Sequence, residues 1–368
     1  MEKERLYIGF DCHKETHYCV AINHQSKQTL SFELLNTFPE MNNCAKQFLK
    51  LEEQYQLIIG VEGSRNYGMH LTRTLQENNF EVFEICSNLT RSRRRTTWGT
   101  GKSDEIDALI VARAVRDECN NLLELNYDDA TEGLIKLTSR RSDLVKIRSN
   151  ELKRLHVLLT YLNPEYKKRG DICNKKVQKY WLEHCRREMT KVDNPFQKSK
   201  YECIKNLLYT LKFLAQSIES IEEEISKSRT KDVGILMSVS GIGLISACKI
   251  ISHIGNITRF KNANKLASYC GLSPVTFASG NYSRAISNIR GNRKLNTVLY
   301  GVALTASRID PISRAYYEKK QEEGKTKKQA LRYLARRMLK VIHALLTKQE
   351  FYKKEFHAEK LIKLEKLA

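Results

Sequence analysis

The sequence predicts a mixed α/β domain followed by mainly helical, all-α regions, and three observations carry that prediction. Apolar runs of strand length are concentrated before residue 86, while from Thr131 onward leucines and isoleucines recur at helical spacing. The charge divides at the same place. Residues 1 to 125 hold 15 Lys+Arg against 18 Asp+Glu, a net −3, whereas the remainder holds 48 against 24, a net +24. An excess of that size without a low-complexity tail marks folded surfaces that meet a polyanion.

Leu6–Phe10 reads as a short buried strand with Asp11 at its C-terminal end. Tyr18–Ile22 and Leu30–Leu35 follow as strands, separated by the turn-like Asn23-His24-Gln25-Ser26, so the sheet begins antiparallel. A helix from about Pro39 to Glu53 leads to Leu57–Val61, a continuous apolar run that predicts a central strand, with Glu62 at its end. A helix (Tyr67–Glu77), a strand (Glu81–Ile85), a basic linker (Arg91, Arg93, Arg94, Arg95) and a helix opened by Asp104-Glu105-Ile106-Asp107 complete the region. The order β-β-β-α-β-α-β-α is that of the ribonuclease H fold. Ligands of open α/β sheets gather at the carboxyl ends of strands, where Asp11 and Glu62 both stand.

The middle of the chain is expected to be an antiparallel coiled coil. Leu134, Leu137, Leu144, Leu152, Leu155, Leu159 and Leu162 form one arm; Ile204, Leu207, Leu211, Leu214, Ile218, Ile221 and Ile225 repeat in steps of three and four in the other. An irregular basic stretch, about Glu165 to Lys200, joins them, and the whole reads as a spacer and oligomerisation arm. The third region begins near Lys231. Ser240-Gly241-Ile242-Gly243-Leu244 precedes a helix-like run, and two glycines there either let backbone N–H groups approach a phosphate, as in a helix-hairpin-helix, or make a plain turn. An exposed-looking Ser279-Gly280, a basic Asn-rich run with Arg284, Arg290, Arg293 and Lys294, and helices near Leu295–Ser307 and Lys327–Leu346 follow. The domains are thus 1–125, 126–230, 231–350 and a charged helical tail, 351–368.

Composition narrows the function classes. No apolar run approaches a membrane span and the N-terminus lacks the apolar core of a signal peptide, so a soluble cytoplasmic protein with no membrane partner is expected. The ten cysteines are scattered, with no C-x-x-C, and read as reduced thiols. Gly99-Thr100-Gly101-Lys102-Ser103 imitates the end of a phosphate-binding loop, but Thr96 stands where that loop needs its first glycine and no apolar strand precedes it. Asp104 and Asp107, three apart on one helix face, either cap the helix, as N-cap and N3, or hold a divalent cation. Four carboxylates at one sheet edge repel one another unless cations neutralise them, which favours a two-metal Mg²⁺ site.

Ile8-Gly9-Phe10-Asp11-Cys12-His13-Lys14, Val61-Glu62-Gly63-Ser64 with Tyr67-Gly68, and Lys102-Ser103-Asp104-Glu105-Ile106-Asp107-Ala108 resemble, in order and spacing, the DEDD transposases of the insertion-sequence-110 type, relatives of the Piv-type DNA invertases. Ser240-Gly241-Ile242-Gly243, the run Gly255 to Gly271, and Ser279-Gly280 with Arg290-Gly291-Asn292 look like that family's C-terminal transposase domain. The resemblance implies a RuvC-like nuclease domain whose acidic tetrad falls on Asp11, Glu62, Asp104 and Asp107, with Mg²⁺ (Mn²⁺ as substitute). It also implies a catalytic serine at Ser279 that forms a phosphoserine link to DNA, with Ser283, Ser287 and Tyr282 close by as other hydroxyls. Donor and target DNA would be recognised through an element-encoded structured non-coding RNA, a bridge RNA, by a dimer or tetramer near the nucleoid of a bacterial cell. Arg91, Arg93, Arg94, Arg95, Lys102, Gly241, Gly243, Arg284, Arg290, Arg293 and Lys294 are the expected nucleic-acid contacts.

Two other readings compete. A Holliday-junction-type endonuclease shares the acidic fold but hydrolyses with water; the C-terminal block from Ser240 to Asn292 argues against it. A non-catalytic nucleic-acid-binding protein would not need all four carboxylates.

Overall fold

The structure, a computed structural model, describes residues 3–353 except 65, 86, 95–102, 120–121, 126–128, 280–281 and 288–290. For residues 88, 123, 129–130, 274–279 and 282–287 it describes the backbone alone. The Gly99–Lys102 stretch of the rejected phosphate loop therefore lies outside the described residues, as do Arg95, Arg290 and the tail from 354.

The chain forms two compact units, the first comprising residues 1–127 with 256–265 and 288–290. Its strands are β1 (Glu4–Cys12), β2 (Thr16–Ile22), β3 (Gln28–Leu35), β4 (Tyr55–Glu62), β5 (Val82–Ile85) and the short β6 (Leu123–Glu124). They lie in the order β3-β2-β1-β4-β5-β6, with β1, β4 and β5 parallel and the others antiparallel. This mixed sheet has the strand order expected of a ribonuclease H-like domain. Helices α1 (Phe38–Glu52), α2 (Met69–Glu77), α3 (Ser87–Arg94) and α4 (Asp104–Glu118) complete the unit. The expected basic linker is thus helical up to Arg94, because Ser87 to Arg94 has no Pro or Gly to break a turn.

Strand alternation decides what faces what. Ile8, Phe10, Ile59 and Val61 pack with Phe48, Leu71 and Leu75 on one side of the sheet, whereas Tyr7 and Ile58 pack with Ala108, Val111, Ala112 and Val115 of α4 on the other. Gly9 and Gly60 are paired in register on the α4 side. A Cβ on Gly9 would lie 2.2 Å from the Ala112 backbone nitrogen, and one on Gly60 would lie 2.2 Å from Val115 Cγ2. Two adjacent glycines therefore let α4 lie directly on the strands.

The second unit comprises residues 128–255, 266–287 and 291–368. Long helices α5 (Asp129–Leu162) and α7 (Pro195–Lys227) pack through Leu155 and Leu159 against Ile204, Leu208 and Leu211, and through Leu144 against Leu214 and Ile218. That order of contacts makes them run in opposite directions. The connection expected to be irregular instead holds a 3₁₀ turn (Tyr166–Arg169) and helix α6 (Lys175–Met189), which buries Trp181 and Cys185 in the same core. Asn174 and Asn194 cap α6 and α7 by accepting from Lys176 N and Phe196 N.

Next come α8 (Lys231–Met237), α9 (Leu244–Ile254), α10 (Ala263–Tyr269), whose first residues belong to the other unit, strands β7 (Pro274–Ser279) and β8 (Tyr282–Ser287), then α11 (Arg293–Ile309), α12 (Pro311–Glu322) and α13 (Lys327–Lys348). The stretch around Ser279 is thus an antiparallel hairpin, in which Ser279 is paired with Tyr282. Among the described residues no helix is long and apolar enough to cross a membrane, and the cysteines are free thiols.

Candidate functional site

Asp11 and Glu62 are neighbours because β1 and β4 are parallel and in register, Asp11 opposite Glu62. Counting back by two from Asp11 gives Gly9 and Tyr7; counting back from Glu62 gives Gly60 and Ile58. Both acids therefore belong to the α4 side, at the C-terminal ends of their strands. The start of α4 supplies the rest.

The cap expected at Asp104 is made by Ser103 instead, whose hydroxyl accepts from Ile106 N at 3.2 Å. Serine and aspartate are comparable N-caps, and the extended backbone of Ser103 decides between them. Asp104 and Asp107 are consequently relieved of capping. Glu105, the third acid of the turn, ties α4 to β3 instead. Its carboxylate accepts from Gln28 Nε2 at 3.0 Å and Ser31 Oγ at 2.9 Å, and these bonds keep its pKa below the usual range.

The four carboxylates are not equivalent. The Asp11 side chain is 13% exposed and that of Asp107 7%, while that of Asp104 is 51% exposed. Burial above all pushes the Asp11 carboxyl up to about 6; His13 pulls against this, and the negative charges of Glu62, Asp107 and Asp104 add to the rise. Asp107 is ion-paired with Arg94 of α3. Arg93 pairs with Asp117 and, at 3.7 Å, with Glu118, so two of the arginines expected to meet nucleic acid also lock α3 onto α4. Arg91 is exposed on α3.

A residue of the first motif to which the sequence assigns no role sits between the acids. His13 Nδ1 lies 3.8 Å from Asp11 Oδ2 and 3.9 Å from Asp104 Oδ2. Its only signal in the sequence is its place two residues after Asp11, where an extended chain returns to the same side. Cys12 between them is buried on the opposite face, and burial pushes its thiol up, so it stays protonated.

These residues fit a divalent cation. Ligand atoms of Asp11, His13 and Asp104 all lie within 4.8 Å of one another, and the repulsion that helps raise the Asp11 pKa is what a bound cation relieves.

The remaining expected contacts lie in the second unit. Gly241 has φ +92°, and a Cβ there would meet the Ala306 backbone nitrogen at 2.9 Å, so this glycine serves a turn and a close approach to α11. Gly243 is the N-cap of α9, with open space where its Cβ would be. Arg293 and Lys294 are exposed in the first turn of α11, which Asn292 caps. The backbones of Ser279 and Arg284 belong to the hairpin, while their side chains, together with Arg95, Lys102 and Arg290, lie outside the described residues.

Comparison with known proteins agrees with this architecture. Residues 8–164 match the DEDD transposase family model of the IS110 type, and residues 233–318 match the model described as transposase IS116/IS110/IS902 family. A 44.8 kDa protein of insertion element IS116 from Streptomyces clavuligerus is 26% identical over 95% of this chain and 96% of its own length. The transposase for insertion sequence element IS1111A of Coxiella burnetii is 29% identical over 40% of this chain and 43% of its own. The pilin gene-inverting protein of Moraxella bovis is 29% identical over 33% of this chain and 39% of its own. By class, then, the protein is an enzyme, a DNA transposase or recombinase. It belongs to the IS110/IS116/IS902 family of transposases.

Proposed function

We propose that this transposase cuts and rejoins DNA strands with a Mg²⁺-dependent acidic tetrad, Asp11, Glu62, Asp104 and Asp107, and a serine nucleophile, Ser279. The observation that carries the reading is the convergence of the Asp11–Glu62 register pair and the first turn of α4 on one edge of the sheet. When bound, the cation supplies charge neutralisation for the phosphoryl group. Asp11 and Asp104 would hold it, with Glu62 and Asp107 beside them. Ser279 Oγ attacks the phosphodiester, its proton passes to a neighbouring base, and the 3′ oxygen leaves, so that the DNA 5′ phosphate remains on the serine. Bond energy is kept in the phosphoserine, and strands rejoin without ATP.

The same reading covers the rest of the chain. The RuvC-like domain is 1–125, the α5–α7 region (126–230) is a coiled-coil oligomerisation arm, the region 231–350 is the transposase domain with a helix-hairpin-helix-like element at Gly241–Gly243, and 351–368 is a tail. Donor and target DNA are selected through a non-coding guide RNA held by the basic surfaces, and the working form is a homodimer or tetramer in the cytoplasm, nucleoid-associated. Support for nucleic-acid binding comes from the net charge of +21 and the exposed Arg91, Arg293 and Lys294.

The test is a stalled reaction of protein, RNA, and labelled donor and target DNA with Mg²⁺ on a denaturing gel. Protein attached to a DNA 5′ end, absent for Ser279→Ala and Asp104→Ala, is expected. Cleavage by wild type with no adduct would instead establish hydrolysis by water, and an adduct persisting in Ser279→Ala would move the nucleophile to Ser283, Ser287 or Tyr282.

A further inference from the structure

We propose that His13 is a direct ligand of the divalent cation, its Nδ1 joining one carboxylate oxygen each from Asp11 and Asp104. The inference rests on the cation reading above and names a donor that the acidic tetrad does not include.

Distance is the first argument. The separations of 3.8 and 3.9 Å from Nδ1 to the two carboxylate oxygens exceed a hydrogen bond, so neither acid fixes the imidazole by one. They exceed by less than an ångström the separation of about 3.0 Å between neighbouring donors of one ion. Donors about 2.1 Å from a common cation stand at most about 4.2 Å apart. Both histidine distances fall inside that upper limit, and inward side-chain movements of about an ångström bring the three donors, which lie within 4.8 Å of one another, onto one point.

Placement is the second. The turn carrying His13 is fixed from both sides: its own N–H donates to Thr16 O at 2.9 Å, Asn36 Nδ2 donates to Lys14 O at 2.9 Å, and Asn36 N donates to Glu15 O at 2.8 Å. These bonds hold the backbone that aims the ring, while the side chain stays 51% exposed and open to an ion arriving from solvent. A histidine retained only for packing would be expected deeper, as His17 is in the same hairpin, fully buried.

The chemistry has a consequence for metal choice. Mg²⁺ prefers an all-oxygen shell, whereas an imidazole nitrogen favours Mn²⁺, Co²⁺ and later ions. This site should therefore discriminate against Mg²⁺ more than four carboxylates would. His13→Ala should narrow the gap between Mn²⁺ and Mg²⁺ affinity.

The experiment uses the full-length protein loaded with Mn²⁺ and pulsed electron paramagnetic resonance to detect ¹⁴N coupling, with calorimetry of Mn²⁺ and Mg²⁺ binding alongside. Wild type should show a coordinated imidazole nitrogen. His13→Ala should lose that signal, keep its circular dichroism melt, and bind Mn²⁺ about tenfold or more weakly, a loss that outer-shell partners of metal ligands already produce. Bound Mn²⁺ without nitrogen coupling in wild type, or nitrogen coupling that survives in His13→Ala, overturns the assignment and leaves the acidic site standing. If wild type binds neither ion at millimolar concentration, the cation reading itself falls, and this proposal with it.

Discussion

Replacing Gly9 with alanine should damage the acidic site without touching any acid. The added Cβ would meet the Ala112 nitrogen at 2.2 Å, the Ala108 carbonyl oxygen at 2.5 Å and the Ala112 Cα at 2.8 Å, all backbone atoms of α4. Ordinary contact begins near 3.4 Å, so the helix has to retreat by about 1.2 Å. Overpacking costs ~1–3 kcal/mol, and the upper end applies because backbone cannot swing aside. The same retreat carries Asp104 and Asp107 away from Asp11 and Glu62, and a displacement of about an ångström costs on the order of 100-fold in rate. Urea unfolding and DNA cleavage with Mg²⁺ measure the two effects. The neighbouring Gly60→Ala provides the contrast, since its nearest obstacle is the side-chain atom Val115 Cγ2 at 2.2 Å. Val115→Ala should restore much of the stability lost in Gly60→Ala, whereas Ala112→Gly should restore none of that lost in Gly9→Ala. A fully stable and active Gly9→Ala protein, or its rescue by Ala112→Gly, would refute the reasoning.

Other perturbations test other links. Burial chiefly holds the His17 imidazole below its ordinary range, against a smaller pull from Asn36, so the unfolded chain takes up a proton that the folded one refuses. Stability should be intact above the usual histidine pKa of about 6.5 and fall as pH drops below it, and thermal melts of His17→Phe should show a flatter acid limb. Arg94→Ala removes a cation from Asp107 and should tighten Mn²⁺ binding by calorimetry, while lowering the salt slope of DNA binding by about one. Arg259→Ala should cost about 3 kcal/mol in urea unfolding, because the guanidinium, 3% exposed, pairs with Glu84 at 3.1 Å. Glu105→Gln should loosen α4 from β3 and lower activity modestly, read as kcat, by weakening the bonds to Gln28 and Ser31.

Much of the first unit is legible in the sequence because its strands are short apolar runs whose ends carry acids. Asp11 and Glu62 could be placed from the ends of two apolar runs, Leu6–Phe10 and Leu57–Val61. The choice between Ser103 and Asp104 as N-cap could not, since both side chains cap well and only backbone extension separates them. Helix α6 carries a stripe at helical spacing, Val177, Trp181 and Cys185 with Tyr180 and Leu182, but its many lysines and arginines make it read as a basic connection. The hairpin around Ser279 does carry a two-residue signal in the sequence, Gly280-Asn281 between two strand-length runs, which the basic, Asn-rich character of the stretch obscures. His13 shares a side with Asp11 by its two-residue spacing, but its meaning depends also on Asp104, ninety-one positions away, and pairings at that range leave no local trace.

The contribution of residues 256–265 to the first unit bears on how the enzyme is made. During synthesis the sheet and its four helices are complete by Tyr127, yet Arg259, which pairs with Glu84 of β5, leaves the ribosome 132 residues later. At ~5–20 residues per second the nascent sheet waits roughly 7–26 s for this pairing. A prematurely terminated chain would carry every carboxylate of the tetrad but not this ion pair. Message truncation should then yield a fragment that proteases remove, so that the acidic site does not persist without the rest of the chain.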